Sequence, residues 1–504
     1  MFDMKNNIVK VFLWNREVGS LYWDNHSNRA VFAFHSDFLQ AGIEVAPLSA
    51  SVFSAASRRP IVGSKNRLYQ GLPPFIADSL PDRWGNLVFE SWAKAQRLKS
   101  SDITPVEKLA FIGNRGMGAL EFRPAVAIEK LTDNLQLNSL YTLAKRIFEE
   151  RSEVSILPEE SLTMQSLYAV GTSAGGQHPK AIIAIHPEKQ VIRSGQIDYP
   201  GFKYYILKFA EDSYFPMTNI EMAYYQMAKD MGIDMMPSRL LKVEGKQHFL
   251  TERFDRQEGK RIHTLTLAAI NEDAHSYEDL MNTARRLRVS QQEQQQLFLR
   301  IVMNLWGGNV DDHQKNFAFM LQEGGTWQIT PAYDVTFTTN LDTMGYDNNH
   351  VFSLCGKVND FTEEDLLRFA SDNSIKKPKA ILDKVATVLS HCWEYLTAQH
   401  VDRYWADRIE KHIASLLPER YRDVMTHYQP TPVADFQTPT GLFVSNIHWH
   451  ETYGHDLHLY ADVDGVTKRY IFGHRSAEYK QIADLGWVHM PEDKVREYVI
   501  RYLL

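Results

Sequence analysis

GGNVDDHQKNFAFMLQEGGTWQITPAYDVTF, residues 307–337, decides how this chain is read. A strongly patterned helix stops at Gly307-Gly308. Asp311, His313, Lys315 and Asn316 follow within a few residues. The apolar run Phe317–Leu321 predicts a short strand, Glu323-Gly324-Gly325 a turn, and Trp327–Thr330 the return strand. Tyr333-Asp334-Val335 stands just past it. An Asp and an Asn before a hairpin, with a second Asp after it, is the layout of a phosphoryl-transfer site. On this layout Asp311 orients the attacking hydroxyl, and Asn316 and Asp334 hold Mg²⁺ on the phosphates of a nucleotide such as ATP. Asp311 and Asn316 have the Asp-to-Asn spacing of a protein-kinase catalytic loop. A polar surface loop contains the same residue types, so the reading needs a phosphate loop and a lysine elsewhere.

Both are available upstream, in kinase order. Gly171-Thr172-Ser173-Ala174-Gly175-Gly176-Gln177-His178-Pro179-Lys180 follows a helix predicted over 158–170. Its glycines and small hydroxyl residues permit close approach of backbone to phosphate oxygens. It is neither a Walker A loop nor a G-x-G-x-x-G, and alone it reads as a flexible turn. A strand over Tyr204–Phe209 embeds Lys208 among apolar residues. Such a lysine needs a charged partner or a route to water at a sheet edge. ATP phosphates or a helix carboxylate would serve. The next helix offers Glu221, with Asn219 as its cap and Gly232 as its end. Two strands, Arg239–Val243 and His248–Glu252, lead to Thr251–Arg256, the position of a kinase hinge. Beyond it the chain is expected to be helical. Ser290-Gln291-Gln292-Glu293 is a capping box, and Phe298, Ile301, Val302 and Leu305 form the apolar stripe of the helix that delivers the catalytic loop.

The flanks differ in character. Residues 7 to about 60 alternate as short strands. Leu80-Pro81-Asp82 starts a helix, Thr104-Pro105-Val106-Glu107 is a capping box, and Arg115-Gly116-Met117-Gly118 reads as a loop turn with backbone that could bind an anion. A helix begins near Phe361–Asp365, and another, largely apolar, contains Val385–Tyr395. After prolines at 430, 432 and 439, short strands return, and a helix over 492–503 closes the chain. His448, His450, His455 and His458 lie close in sequence there, but their spacing fits no zinc motif and surface histidines are expected.

The 504 residues are 44% hydrophobic and 23% charged, the balance of a folded protein with large cores. A net charge of −7 gives no global footprint for direct nucleic-acid binding. Two cysteines, Cys355 and Cys392, argue against a disulfide framework. With no signal-peptide pattern and no membrane-length apolar run, the cytoplasm is the expected compartment.

Taken together, GTSAGGQHPK at 171–180, YILKF at 205–209, TERFDR at 251–256, NVDDHQKNF at 309–317 and PAYDV at 331–335 resemble the HipA family of serine/threonine kinases, toxins of bacterial toxin–antitoxin pairs. GLPPFIADSLPDRWGN at 71–86 and GMGALEF at 116–122 look like that family's N-terminal subdomain, so the resemblance covers about 5 to 425. Asp312 departs from it, standing where many members have Gly. His178-Pro179 before Lys180 and the segment 430–504 depart as well. The resemblance implies an α+β, two-lobed, protein-kinase-like fold with an N-terminal β-rich subdomain (1–150), a kinase N-lobe (151–256) and a helical C-lobe (257–428); the proline-marked linker and the returning short strands add a small C-terminal α+β extension (429–504). It implies Asp311 as catalytic base, supported by His313 and Lys315, with Asn316 and Asp334 on Mg²⁺. Ser173, Ala174, Gly175, Gly176, Lys180 and Lys208, with Glu221, would serve the ATP phosphates, and the Glu252–Phe254 backbone would hold adenine. Ser173 would be autophosphorylated, silencing the kinase. The substrate implied is a protein, with an aminoacyl-tRNA synthetase as the known precedent, and the partner a HipB-like DNA-binding antitoxin. A small-molecule kinase of the aminoglycoside-phosphotransferase type shares the Asp and Asn spacing. A non-catalytic antitoxin-binding module is the third alternative.

Overall fold

The computed structural model describes residues 8–125, 135–151, 154–171, 176–189, 191–196, 199–211, 215–243, 245–341, 348–422, 425, 433–451, 457–473, 476–484 and 490–504. The chain forms two compact units, each assembled from separate stretches. The first comprises Met1–Thr218, Asp234–Gln294 and His313–Asp334. The second comprises Asn219–Ile233, Gln295–Asp312 and Val335–Leu504.

The first unit begins with strands β1 (Ile8–Leu13), β2 (Arg16–Asp24), β3 (Arg29–Phe34), β4 (Ile61–Val62) and β5 (Leu120–Arg123), in the order β4-β3-β2-β1-β5. The alternation that predicts β1 also buries it: Val9, Val11 and Leu13 face the core while Ile8 and Lys10 are exposed. A second antiparallel sheet contains β6 (Lys180–Ile185), β7 (Ile192–Ser194), β8 (Lys203–Lys208), β9 (Ser238–Val243) and β10 (Lys246–Glu252), ordered β7-β6-β8-β10-β9. Strand β8 is therefore the middle strand, so Lys208 does not escape to water at an edge. Against this sheet the Arg83–Ala95, Leu137–Glu150 and Ser161–Gly171 helices contribute Trp84, Val88, Leu140, Ile147 and Leu167 to one core with Ala181, Ile183 and Leu207.

Beyond the hinge the chain does not turn wholly helical as expected. A ribbon of β11 (Arg256–Gln257) and β12 (Lys260–Arg261) comes first. Strand β13 (His263–Thr266) then joins β14 (Ala318–Leu321) and β15 (Trp327–Ile329) in a three-stranded sheet. Four residues are too few to display a period of two, and β13 gains its hydrogen bonds from β14, far along the chain. The predicted hairpin is present as β14 and β15.

TERFDR has a structural role in this unit. Asp255 is buried, with Arg253 Nε on Oδ1 at 2.8 Å, and on Oδ2 Arg253 Nη2 at 2.7 Å, Arg256 Nη1 at 2.8 Å and the Gly118 N–H at 2.7 Å. The Arg115–Gly118 loop thus does bind an anion, the protein's own carboxylate. Burial pushes the Asp255 carboxyl up, but Arg253 and Arg256 prevail and hold it well below the usual carboxylate range. Its contribution to stability is therefore complete above the unfolded pKa and is lost as pH falls through the lower folded value. Asp255→Asn is expected to cost about 3–5 kcal/mol by leaving a buried guanidinium without its counter-ion. Denaturant unfolding checks this; a loss below about 1 kcal/mol would contradict the assignment.

In the second unit the helix carrying Glu221 spans Met217–Met231. It starts two residues before the expected cap. Pro216 fixes φ where a first turn tolerates it, and the Asn219 amide donates instead to the Gln399 carbonyl at 2.7 Å. Gly232 ends the helix with φ +87°. Helices Gln291–Trp306, Glu363–Asp372, Pro378–Leu389, Cys392–Ala398 and Arg403–Leu416 follow. The one helix expected across Val385–Tyr395 is two, because Ser390 turns its hydroxyl onto the Thr387 carbonyl at 2.8 Å and closes the first. The last segment forms β16 (Phe436–Gln437), β17 (Phe443–Glu451), β18 (Leu457–Val463) and β19 (Val466–Phe472), with helices Ala477–Asp484 and Glu492–Tyr502. The Tyr479 hydroxyl meets that of Tyr404 at 3.1 Å.

Candidate active site

The Gln291–Trp306 helix opens with the predicted capping box: the Glu293 N–H donates to Ser290 Oγ at 3.3 Å and the Ser290 N–H to Glu293 Oε2 at 3.2 Å. It stops at Gly308, whose φ of +70° favours glycine and where a Cβ would lie 2.8 Å from the Phe337 ring. The loop beyond is fastened by the Asn309 side chain and the Asp311 backbone. Asn309 Nδ2 donates to Asn304 Oδ1 at 3.0 Å, Thr338 Oγ1 to Asn309 Oδ1 at 3.1 Å, and the Asp311 N–H to Thr338 Oγ1 at 3.0 Å. Asp311 itself is exposed. Its neighbour Asp312 is fully buried. Asp312 Oδ1 accepts the Val351 N–H at 2.8 Å and the Phe352 N–H at 3.3 Å, while Oδ2 meets His350 Nδ1 at 2.8 Å. The residue that departs from the family pattern is thus an anchor for the segment 350–352.

Asp311, Asp312 and Glu221, which is buried on its helix, belong to the second unit. The first unit holds the other described members of the predicted set. His313 Nδ1 accepts the Lys315 N–H at 3.2 Å and its carbonyl accepts the Asn316 N–H at 2.9 Å, shaping a single 3₁₀ turn over Gln314–Asn316. Tyr333 OH donates to the Lys315 carbonyl at 2.7 Å, tying that turn to the strand end that presents Asp334. Asp334 has φ +53°, a left-handed conformation that Asp tolerates better than most residues.

Lys208 Nζ is ion-paired to Asp334 Oδ1. Burial pushes the Asp334 carboxyl up, yet the ammonium groups of Lys208 and Lys180, the Lys208 hydrogen bond and His313 together hold it well below the usual range. Lys180 is 4% exposed and its Nζ lies where a Cβ on Gly176 would be, 2.3 Å from that ideal position. Gly176, at φ +104°, therefore leaves the room that the ammonium fills. Thr172, Ser173, Ala174 and Gly175 lie outside the described residues. His178, the departure in this loop, meets Glu211 Oε1 at 2.6 Å through Nδ1.

At the predicted hinge, the Glu252 N–H donates to the Pro237 carbonyl at 3.0 Å and its carboxylate pairs with Lys203 at 3.1 Å. The Phe254 ring stacks on Tyr333 at 6.1 Å.

Two features escaped the sequence reading. Asp82 is joined to both Lys315 and Gly176, although Pro81-Asp82 reads only as a helix start. A cavity of 220 Å³ is lined by Tyr141, Phe148, Pro179 and Phe209 with Lys145, Glu149 and Glu211, the partner of His178, and contains none of the predicted site residues. The phosphoryl-transfer reading stays with the polar group around Asp334. Among the described residues no group of His, Cys, Asp and Glu is arranged to hold a metal, and His458 meets Tyr460 OH at 3.2 Å. His448 and His450 lie on β17; His455 lies outside the described residues. No described helix is long and apolar enough to cross a membrane.

Comparison with known proteins bears on the family and the fold. The HipA N-terminal domain model matches residues 9–123 and the HipA-like C-terminal domain model matches residues 172–393. A curated Haemophilus influenzae protein named "Putative kinase" is 26% identical over 240 residues, which are 43% of this chain and 63% of that protein. The match thus spans less than two thirds of that relative. HipA of Shewanella oneidensis MR-1, solved with HipB and its operator DNA, superposes with a TM-score of 0.57 at 15% identity, covering 82% of this chain and 99% of that one. CtkA, a proinflammatory kinase of Helicobacter pylori, covers 50% of this chain and 94% of its own at a TM-score of 0.31 and 13% identity, too distant to bear on the fold. Both domain models fall on one chain in the order of its N-terminal and catalytic-loop motifs, and the chain belongs to the HipA family.

Proposed function

We propose that this chain is an ATP- and Mg²⁺-dependent serine/threonine protein kinase of the HipA type. The observation that carries the reading is the charge group of the first unit: Asp334 held ionised against Lys208, with Lys180 beside it and the Asn316 turn tied to the same strand end. This donor set fits Mg·ATP. A carboxylate and an amide oxygen are the hard ligands Mg²⁺ prefers, and two ammonium groups match a polyphosphate. Asn316 and Asp334 would hold the metal, whose bound charge would neutralise the phosphate oxygens. Lys208 and Lys180 hold phosphates, with the Ser173–Gly176 loop over them and Glu221 in support. The Glu252–Phe254 stretch faces adenine. Asp311 accepts the proton of the substrate hydroxyl as that oxygen bonds to the γ-phosphorus, and the bond to the bridging oxygen breaks to release ADP. His313 and Lys315 keep the loop in place.

The substrate is a protein, and an aminoacyl-tRNA synthetase is the first candidate to test. A HipB-like antitoxin is the proposed partner, on the fold shared with the HipA solved beside HipB and operator DNA. The cytoplasm suits a chain with only two cysteines and so no disulfide framework. Ser173 is the proposed autophosphorylation site: a phosphoserine of about −1.5 to −2 charge beside the triphosphate would repel it. Incubation with Mg·ATP should place phosphate on Ser173 and lower ATP affinity as it accumulates. Adding lysate should label a protein. Label that passes only to small molecules, or phosphate only on Thr172, would overturn these assignments.

A further inference from the structure

Asp82 occupies the N-cap position of the Arg83–Ala95 helix, with the extended backbone that a cap requires, φ −77° and ψ −168°. Asp is among the best capping residues, yet this side chain makes no cap hydrogen bond. Both of its oxygens are directed elsewhere. Oδ2 accepts the Gly176 N–H at 2.9 Å, and Oδ1 is ion-paired to Lys315 Nζ. The neighbours of Asp82 hold the same two-ended segment. The Trp84 N–H donates to the Gly176 carbonyl at 3.3 Å, Trp84 Nε1 to the Lys180 carbonyl at 2.9 Å, and Arg83 Nη1 to Gln177 Oε1 at 3.1 Å. Trp84 is fully buried in the core, so the clamp has a rigid base.

One carboxylate therefore joins three regions: the N-terminal stretch 71–86, the end of the proposed phosphate loop, and the turn carrying Asn316. We propose that Asp82 is a positioning residue for phosphoryl transfer, which makes the N-terminal domain a working part of the kinase site; this rests on the kinase reading above. The carboxylate fixes Lys315 one residue before the metal ligand Asn316 and fixes Gly176 against Lys180. Without it the Lys315 ammonium is drawn to the nucleotide phosphates and the two loops lose their common reference. Transfer between groups held in near-attack geometry is sensitive to displacements of about 1 Å, which cost on the order of a hundredfold.

The test is a double-mutant cycle on the full-length chain, read as kcat and as KM for ATP. Asp82→Asn preserves shape and an acceptor for the Gly176 N–H but removes the ion pair. Its kcat should fall about 10- to 100-fold, with KM changed by less than about threefold. Asp82→Ala also releases Gly176, so its KM should rise as well. Lys315→Met should lower kcat, and adding Asp82→Asn to it should cost nothing further, because the partner is already gone. A merely structural role for Asp82 would instead lower the melting temperature and leave kcat of the folded fraction intact. Wild-type kcat in Asp82→Asn, or an equal fall in the Lys315→Met background, overturns the proposal. If Asp82→Asn does not fold, Lys315→Met decides alone: an unchanged kcat overturns it. Failure of the kinase reading is distinguishable, since the unmutated chain would then transfer no phosphate.

Discussion

Asp311→Asn should abolish measurable turnover, lowering kcat by about 10²–10⁴-fold, while ATP binding and thermal stability stay near normal. The side chain is exposed, and the loop is held through the Asp311 backbone N–H on Thr338 and through Asp312. Asn keeps the shape and removes the base. Steady-state kinetics with the melting temperature as control would separate the two. Turnover within threefold of normal would exclude Asp311 as the base.

Asp334→Asn has a second large expected effect, of a different kind. Asn adopts left-handed backbone as readily as Asp, so the φ of +53° introduces no new strain. The change removes the proposed metal ligand and leaves Lys208, on the central strand β8, without this counter-ion. Mg·ATP affinity should fall by at least about tenfold and turnover by about 10³-fold. In the unmutated chain the carboxyl is held below its usual range, so the ligand stays ionised at any pH above about 4. Loss of activity between pH 7 and 5 would then have to come from another group. A variant that binds Mg·ATP normally by calorimetry would contradict the assignment.

Much of this was legible in local sequence, because the signals are local. The β14–β15 hairpin follows from two apolar runs around Gly324, and the Thr104 and Ser290 caps form as their spacing predicts. What was not legible depends on distant partners. Strand β13 is defined by β14. Asn219 is drawn from its expected cap by Gln399, and Asp82 from its own helix by Lys315 and Gly176. A capping residue looks the same in sequence whether its carboxylate serves its own helix or another part of the chain. Asp312 stood out only as a departure; its role is visible once the segment 350–352 returns to it.

The most direct test is transfer of label from γ-labelled ATP to protein by the purified full-length chain, alone and with bacterial lysate. The account predicts phosphorylated protein in the presence of Mg²⁺, none after chelation, and none with Asp311→Asn. Label transfer by Asp311→Asn within threefold of the normal rate, or a folded, unphosphorylated wild-type chain that transfers none, would contradict it.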